Sequence, residues 1–181
     1  KVQFIFAGKS HPSDNGGKAL LQKIRKVARD LEDSISIVFI DNYNMEIASL
    51  ITQGVDLWLN TPMRPREASG TSGMKCTLNG IMNFSVLDGW WIEGWIEDVT
   101  GWSIGPEPNG GDLSDHYDES LDAIDLYEKL EKKIIPTYYE NRDKWLDMMR
   151  HTIALNASFF NTHRVVREYA SKAYSIDFRG M

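Results

Sequence analysis

The feature that most constrains this chain is the alternation, through its first half, of short apolar runs with stretches of helical periodicity. The runs at 2–7, 35–40, 55–59 and 82–87 are rich in β-branched and aromatic residues and are the length of buried strands. Between them, Leu20, Leu21, Ile24, Val27, Ala28 and Leu31 fall on one helical face. A shorter amphipathic stretch runs from Met45 to Ile51 and ends at Gly54, and 71–81 has the character of a third helix. Asp14 or Ser13 stands where the first helix needs a cap. Strands that alternate with helices are joined by crossovers, so the expected fold is α/β, a doubly wound parallel sheet with helices on both faces.

From Ser120 onward the pattern turns helical, with apolar faces carried by Leu121, Ile124, Leu126, Leu130, Ile134 and Ile135, and Pro136 marks a break or a new start. The expected organisation is an α/β core over 1–118 and a helical segment over 119–181 packing on the same domain. The stretch 106–118, rich in Gly, Asp and Asn, is expected to be a mobile loop. With 181 residues, 42% of them hydrophobic, the chain can bury one sizeable core. A net charge of -6 argues against a nucleic-acid partner, because phosphate neutralisation needs clustered Lys and Arg in excess. The apolar runs are too short to cross a bilayer, so no membrane association is expected. The single cysteine, Cys76, cannot form an internal disulfide, which fits a reducing, cytoplasmic setting. His116, His151 and His163 show no metal-ligand spacing with Cys76 or one another, and His163 with Arg164 is a candidate cap of the final helix. The chain begins at Lys1 and enters a strand at once, so preceding sequence is expected to have been removed.

Parallel sheets bind ligands beyond the carboxyl ends of their strands, which directs attention to the connections after Ala7, Ile40, Leu59 and Leu87. One of these holds Glu67-Ala68-Ser69-Gly70-Thr71-Ser72-Gly73-Met74-Lys75. Gly70 and Gly73 let the backbone approach a ligand closely, and Ser69, Thr71 and Ser72 add hydroxyl donors. A helix starting here would favour an anion at its free N–H groups, with Lys75 about one turn inside. Lys75 could then act as a fixed positive charge or as an amine forming a Schiff base with pyridoxal phosphate. The alternative is an ordinary Ser- and Gly-rich helix cap with Lys75 in solvent. Spacing alone does not choose. Lys9 and His11, after the first strand, face the same choice between a site and a polar loop. Gly8-Lys9-Ser10 and Gly17-Lys18-Ala19 lack the full pattern of a nucleotide-binding loop.

The Glu67–Lys75 segment, with Leu78-Asn79-Gly80 and Leu87-Asp88-Gly89, resembles the signature of the glycogen and α-glucan phosphorylases. Asp41-Asn42-Tyr43, Gly89-Trp90-Trp91-Ile92-Glu93-Gly94, Gly101-Trp102-Ser103-Ile104-Gly105 and Phe160-Asn161-Thr162-His163-Arg164 extend the likeness over nearly the whole chain. The Trp-rich variant is similar to the short bacterial and archaeal enzymes, of which the chain resembles only the C-terminal domain. The resemblance implies a Rossmann-like sheet, the C-terminal half of a two-domain GT-B glycosyltransferase, whose N-terminal domain is absent here. It implies that Lys75 holds pyridoxal 5'-phosphate, that Thr71 and Ser72 face the cofactor phosphate, and that Tyr43 lies beside the cofactor. Glu67, Ser69 and Gly70 then bind hydroxyls of the glucosyl unit, with Lys75 and Glu67 the catalytic pair.

The implied reaction is phosphorolysis of an α-1,4-glucan by inorganic phosphate, with retention, to glucose 1-phosphate. The isolated chain is expected to be inactive, since the residues binding substrate phosphate lie in the absent part. Asn44 stands where many family members place an arginine, so that position supplies no charge. Two other functions remain: a retaining nucleotide-sugar transferase resembling glycogen synthase, and a non-catalytic carbohydrate-binding domain. A homo-oligomeric assembly is left open.

Overall fold

The computed structural model describes residues 2–107 and 119–174. It divides into two compact units, Lys1–Ile51 and Thr52–Met181. In the first, β1 (Gln3–Ala7) and β2 (Ser36–Ile40) pair in parallel, from Gln3 opposite Ser36 to Ala7 opposite Ile40. They are joined by α1 (Asn15–Asp30), a right-sized crossover for parallel neighbours. Of the two candidate caps of α1, Asp14 takes the role: its side chain accepts from the Gly17 N–H at 2.8 Å. Asn44 accepts from the Ile47 N–H at 2.9 Å and so caps α2 (Met45–Gly54), which runs across the boundary between the units.

In the second unit β3 (Leu57–Asn60), β4 (Met82–Val86) and β5 (Gly101–Ile104) form a parallel sheet in that order. Every residue of the central strand β4 is buried. Because side chains alternate along a strand, Met82, Phe84 and Val86 share one face. They pack there with Trp102, Ile104, Ile134, Trp145 and Met148. The other face carries Asn83, whose Nδ2 donates to the Gly73 carbonyl of α3 (Thr71–Thr77) at 3.3 Å. Helices therefore cover both faces of this sheet, the α/β arrangement with C-terminal helices that the alternation predicts.

The C-terminal helices are α5 (Glu119–Lys129), α6 (Ile135–Glu140), α7 (Arg142–His151) and α8 (Thr162–Glu168). Of the break or new start expected at Pro136, the second holds: Pro136 lies in the first turn of α6. A π-helical turn, Leu130–Ile134, leads from α5 into α6, so the wider i→i+5 pattern precedes the residue that lacks an N–H. The Thr137 hydroxyl donates to the Lys133 carbonyl at 2.7 Å beside it. Asn161, rather than His163 with Arg164, caps α8, its side chain accepting from the Arg164 N–H at 3.0 Å. Arg164 instead lies over the Phe159 ring, 3.7 Å from its centroid.

Two further differences concern the middle of the chain. The helix expected over 71–81 ends at Thr77, because the N–H groups of Asn79 and Ile81 both turn back to the Cys76 carbonyl and Gly80 adopts a φ of +74°. The aromatic stretch after Gly89 holds a short helix, α4 (Trp91–Gly94), and then β5. The loop expected over 106–118 lies, from residue 108 on, outside the described residues, as does His116. Among the described residues no helix is long and apolar enough to cross a membrane, and no cluster of His, Cys, Asp and Glu could hold a metal ion.

Candidate active site

The connection from β3 to α3 turns at Met63, where the Arg66 N–H donates to the Met63 carbonyl at 2.8 Å, and then enters Glu67. From here the loop is held by the turn that follows β4. Asp88, only 5% exposed, accepts the Glu67 N–H on one carboxylate oxygen at 2.9 Å and the Gly89 N–H on the other at 2.8 Å. Two residues later the Trp90 N–H donates to the Ser69 carbonyl at 2.8 Å. Both ends of Glu67-Ala68-Ser69 are thus fixed to one turn. Gly89 makes the approach possible, since a Cβ there would sit 2.7 Å from the Ser69 carbonyl oxygen and 3.0 Å from Glu67 Cγ.

Gly70 precedes α3 in the left-handed region, φ +87°, and no side chain caps the helix. The Trp90 indole lies against this segment: a Cβ on Gly70 would stand 2.9 Å from Trp90 Cδ1, and one on Gly73 2.9 Å from Trp90 Nε1. Trp90 is backed by Trp91 and Phe160, with ring centroids 5.1 and 5.0 Å away. Both tryptophans are therefore part of the packing beneath the loop, with Leu87 and partly buried Met74, Trp95 and Phe160. The result is a glycine cradle on a rigid aromatic floor.

The second unit brings Glu67, Ser69, Gly70, Thr71, Ser72 and Lys75 into one continuous stretch. Ser69, Thr71 and Lys75 are exposed, while Glu67, Gly70 and Ser72 are half-buried. Lys75 occupies the last turn of the seven-residue α3. Its neighbour Cys76 is fully buried, and burial pushes the thiol up to about 12, only partly offset by the Lys75 charge, so the cysteine offers no thiolate. Tyr43 stands in the first unit, half-buried in the connection between β2 and α2. Lys9 and His11 are exposed in that unit's β1–α1 connection, where His11 Nδ1 accepts from the Ser13 N–H at 3.2 Å.

Arg64 begins the loop. Its Nη2 donates to the Pro106 carbonyl at 3.0 Å; burial lowers its pKa, against the charges of Asp122 and Asp88, which favour the guanidinium cation. Core packing is the simpler expectation for adjacent tryptophans beside a glycine, and Trp90 and Trp91 are buried as that expectation has it. An Asp-Gly pair reads in sequence as a turn, which does not reveal the hold of Asp88 on Glu67. The available signal is position, because the turn leaves the carboxyl end of the strand beside the loop.

The residues fit pyridoxal phosphate by their form: a close-approach glycine cradle, a helix start without a side-chain cap, hydroxyls on Ser69, Thr71 and Ser72, and an exposed primary amine on the same short helix. Residues 1–101, more than half of the chain, match the family described as carbohydrate phosphorylase. The chain is 48% identical to maltodextrin phosphorylase of Thermococcus litoralis over 174 residues, 96% of this chain and 21% of that protein. It is 41% identical to glycogen phosphorylases of Aquifex aeolicus and Mycobacterium tuberculosis over 179 residues, again 96% of this chain, and 25% and 20% of theirs. The chain thus spans between a fifth and a quarter of the length of these relatives. With residues 1–101 matching the family and relatives at 41–48% identity aligned over 96% of its length, the chain belongs to the carbohydrate phosphorylase family.

Proposed function

We propose that the chain is the C-terminal, cofactor-bearing part of an α-glucan phosphorylase, which uses inorganic phosphate to cleave the α-1,4 bonds of glycogen, starch or maltodextrin with retention, giving glucose 1-phosphate. The observation that carries this reading is the fixed Glu67–Ser69 segment running directly into an uncapped helix that bears Lys75. Lys75 would hold pyridoxal 5'-phosphate, with Thr71 and Ser72 toward its phosphate and Tyr43 beside it. When bound, the cofactor supplies a phosphate acid–base group next to the substrate phosphate.

Glu67, Ser69 and Gly70 bind hydroxyls of the glucosyl unit. Those contacts tighten as positive charge develops on the sugar, which is where binding energy lowers a barrier. Glu67 acts as a positioning and electrostatic group. A nucleophilic carboxylate would need a second acid close by, and both oxygens of Asp88 already accept backbone N–H groups. We assign 1–118 to the cofactor- and glucosyl-binding core and 119–181 to the helical segment packed on it. The intact enzyme, a cytoplasmic protein in this reading, adds an N-terminal domain with the other wall of the site, and the isolated chain is inactive.

The test is to load the intact polypeptide with pyridoxal phosphate, reduce with borohydride and locate the label by mass. Label on Lys75, and loss of glucose 1-phosphate release from maltodextrin in Lys75→Ala, are the expected results. A label elsewhere, or activity retained in Lys75→Ala, overturns the assignment.

A further inference from the structure

We infer that Asp88 is the positioning residue for the glucosyl-binding segment, setting the direction in which Glu67 presents its carboxylate. The inference rests on the proposed function and adds a residue that touches no substrate. Three observations carry it. Asp88 is almost fully buried, and its two oxygens accept one N–H from its own turn and one from Glu67, 21 residues earlier. The same turn takes the Ser69 carbonyl through the Trp90 N–H, so the Glu67 backbone is held on both sides. Finally, Gly89 leaves room for Glu67 Cγ and no more, since a Cβ there would stand 3.0 Å from it. A carboxylate is required because both groups facing it are donors. An amide can serve one N–H with its oxygen but then turns its NH2 toward the other. Water cannot easily repair the loss at so buried a site.

The consequence is specific to the chemical step. If Asp88 orients Glu67, its loss weakens contacts that tighten in the transition state and lowers kcat, while cofactor loading and the KM for phosphate stay the same. If Asp88 only supports folding, its loss lowers the amount of loaded enzyme and leaves kcat per bound cofactor unchanged.

The experiment uses the intact enzyme and a double-mutant cycle. Asp88→Asn is expected to lower kcat per Lys75-bound cofactor by about tenfold or more. Combined with Glu67→Gln, it should add no more than about twofold to the loss seen with Glu67→Gln alone, because the two act as one unit. Gly89→Ala, whose Cβ at a φ of +54° would press on the Ser69 carbonyl oxygen (2.7 Å) and on Glu67 Cγ (3.0 Å), keeps the Asp88 carboxylate but displaces the same segment from the same turn, and should reproduce the kcat loss and the coupling; it decides the matter if Asp88→Asn does not fold. Unchanged kcat in the variants, or effects that multiply with Glu67→Gln, overturns the inference. A parent enzyme that carries no label on Lys75 overturns the proposed function instead, so the two failures are distinct.

Discussion

Replacing Gly73 by alanine tests the packing beneath the loop, because helix propensity and packing predict opposite signs. Gly73 lies in the first turn of α3, where alanine in place of glycine would ordinarily stabilise by up to about 1 kcal/mol. Its new Cβ would meet Trp90 at 2.9 Å from Nε1 and 3.0 Å from Cζ2, and would run into Asn83 Oδ1. Neither neighbour can give way cheaply. Asn83 is 2% exposed on the central strand, and Trp90 is wedged between Trp91 and Phe160. Overpacking of this kind costs about 1–3 kcal/mol, and displacing Asn83 also weakens its bond to the Gly73 carbonyl, worth about 1 kcal/mol. After the propensity gain, Gly73→Ala should destabilise by about 2 kcal/mol, lowering Tm by roughly 4–8 °C. Gly54→Ala is the control, since a Cβ there meets nothing within 4 Å, and it should leave Tm unchanged or slightly raised. All six tryptophans lie in the second unit, so their fluorescence on heating reports the unit in question. A Gly73→Ala protein as stable as the parent would refute the rigid floor.

Two further predictions concern charge. Burial raises the Asp122 carboxyl to about 6, Arg64 opposing and Asp125 adding to the rise. The folded state therefore holds a proton that the unfolded chain has lost between about pH 4 and 6. Through this residue stability increases as pH falls across that window, so the Tm of the parent minus that of Asp122→Asn should rise from pH 7 to about 4.5; a flat difference contradicts it. Lys133 bridges Glu97 at 2.9 Å and Asp98 at 2.8 Å. Burial alone would raise both carboxyls, yet the bonds from Lys133 and from Trp95 or Trp102 hold them below their ordinary values. Their contribution is present above the unfolded-state values and is lost as pH falls through the lowered ones. Lys133→Met should cost roughly 1–3 kcal/mol at neutral pH and move the acid-unfolding midpoint upward; an unmoved midpoint would count against the bridge.

Much of this architecture is legible in the chain because its signals are local. The apolar runs at 2–7, 35–40 and 82–87 each contain a strand, the run at 55–59 holds all of β3 but its last residue, and the Ser–Gly segment does open a helix at Thr71. What local pattern misreads is what distant partners decide. Pro136 stands at the new start, one of its two expected roles, but the π-helical turn that carries α5 into α6 leaves no local signal. β5 is four residues long and begins at a glycine, so its pairing with β4, not its composition, makes it a strand. At the candidate site, the residue types are evident, whereas the hold of Asp88 on Glu67 spans 21 residues and leaves no periodic trace.

That hold has a consequence for anyone who would move this site to another protein. The shape of the Glu67–Lys75 stretch is stored largely outside it, in the mould formed by Asp88, Gly89 and Trp90 at the end of β4. A transplant of the nine signature residues would carry the letters and lose the form. A portable piece needs Glu67 through Trp91, strand included, with Phe160 or a substitute behind Trp90, and drift in the mould would reshape the site while every signature residue stayed in place.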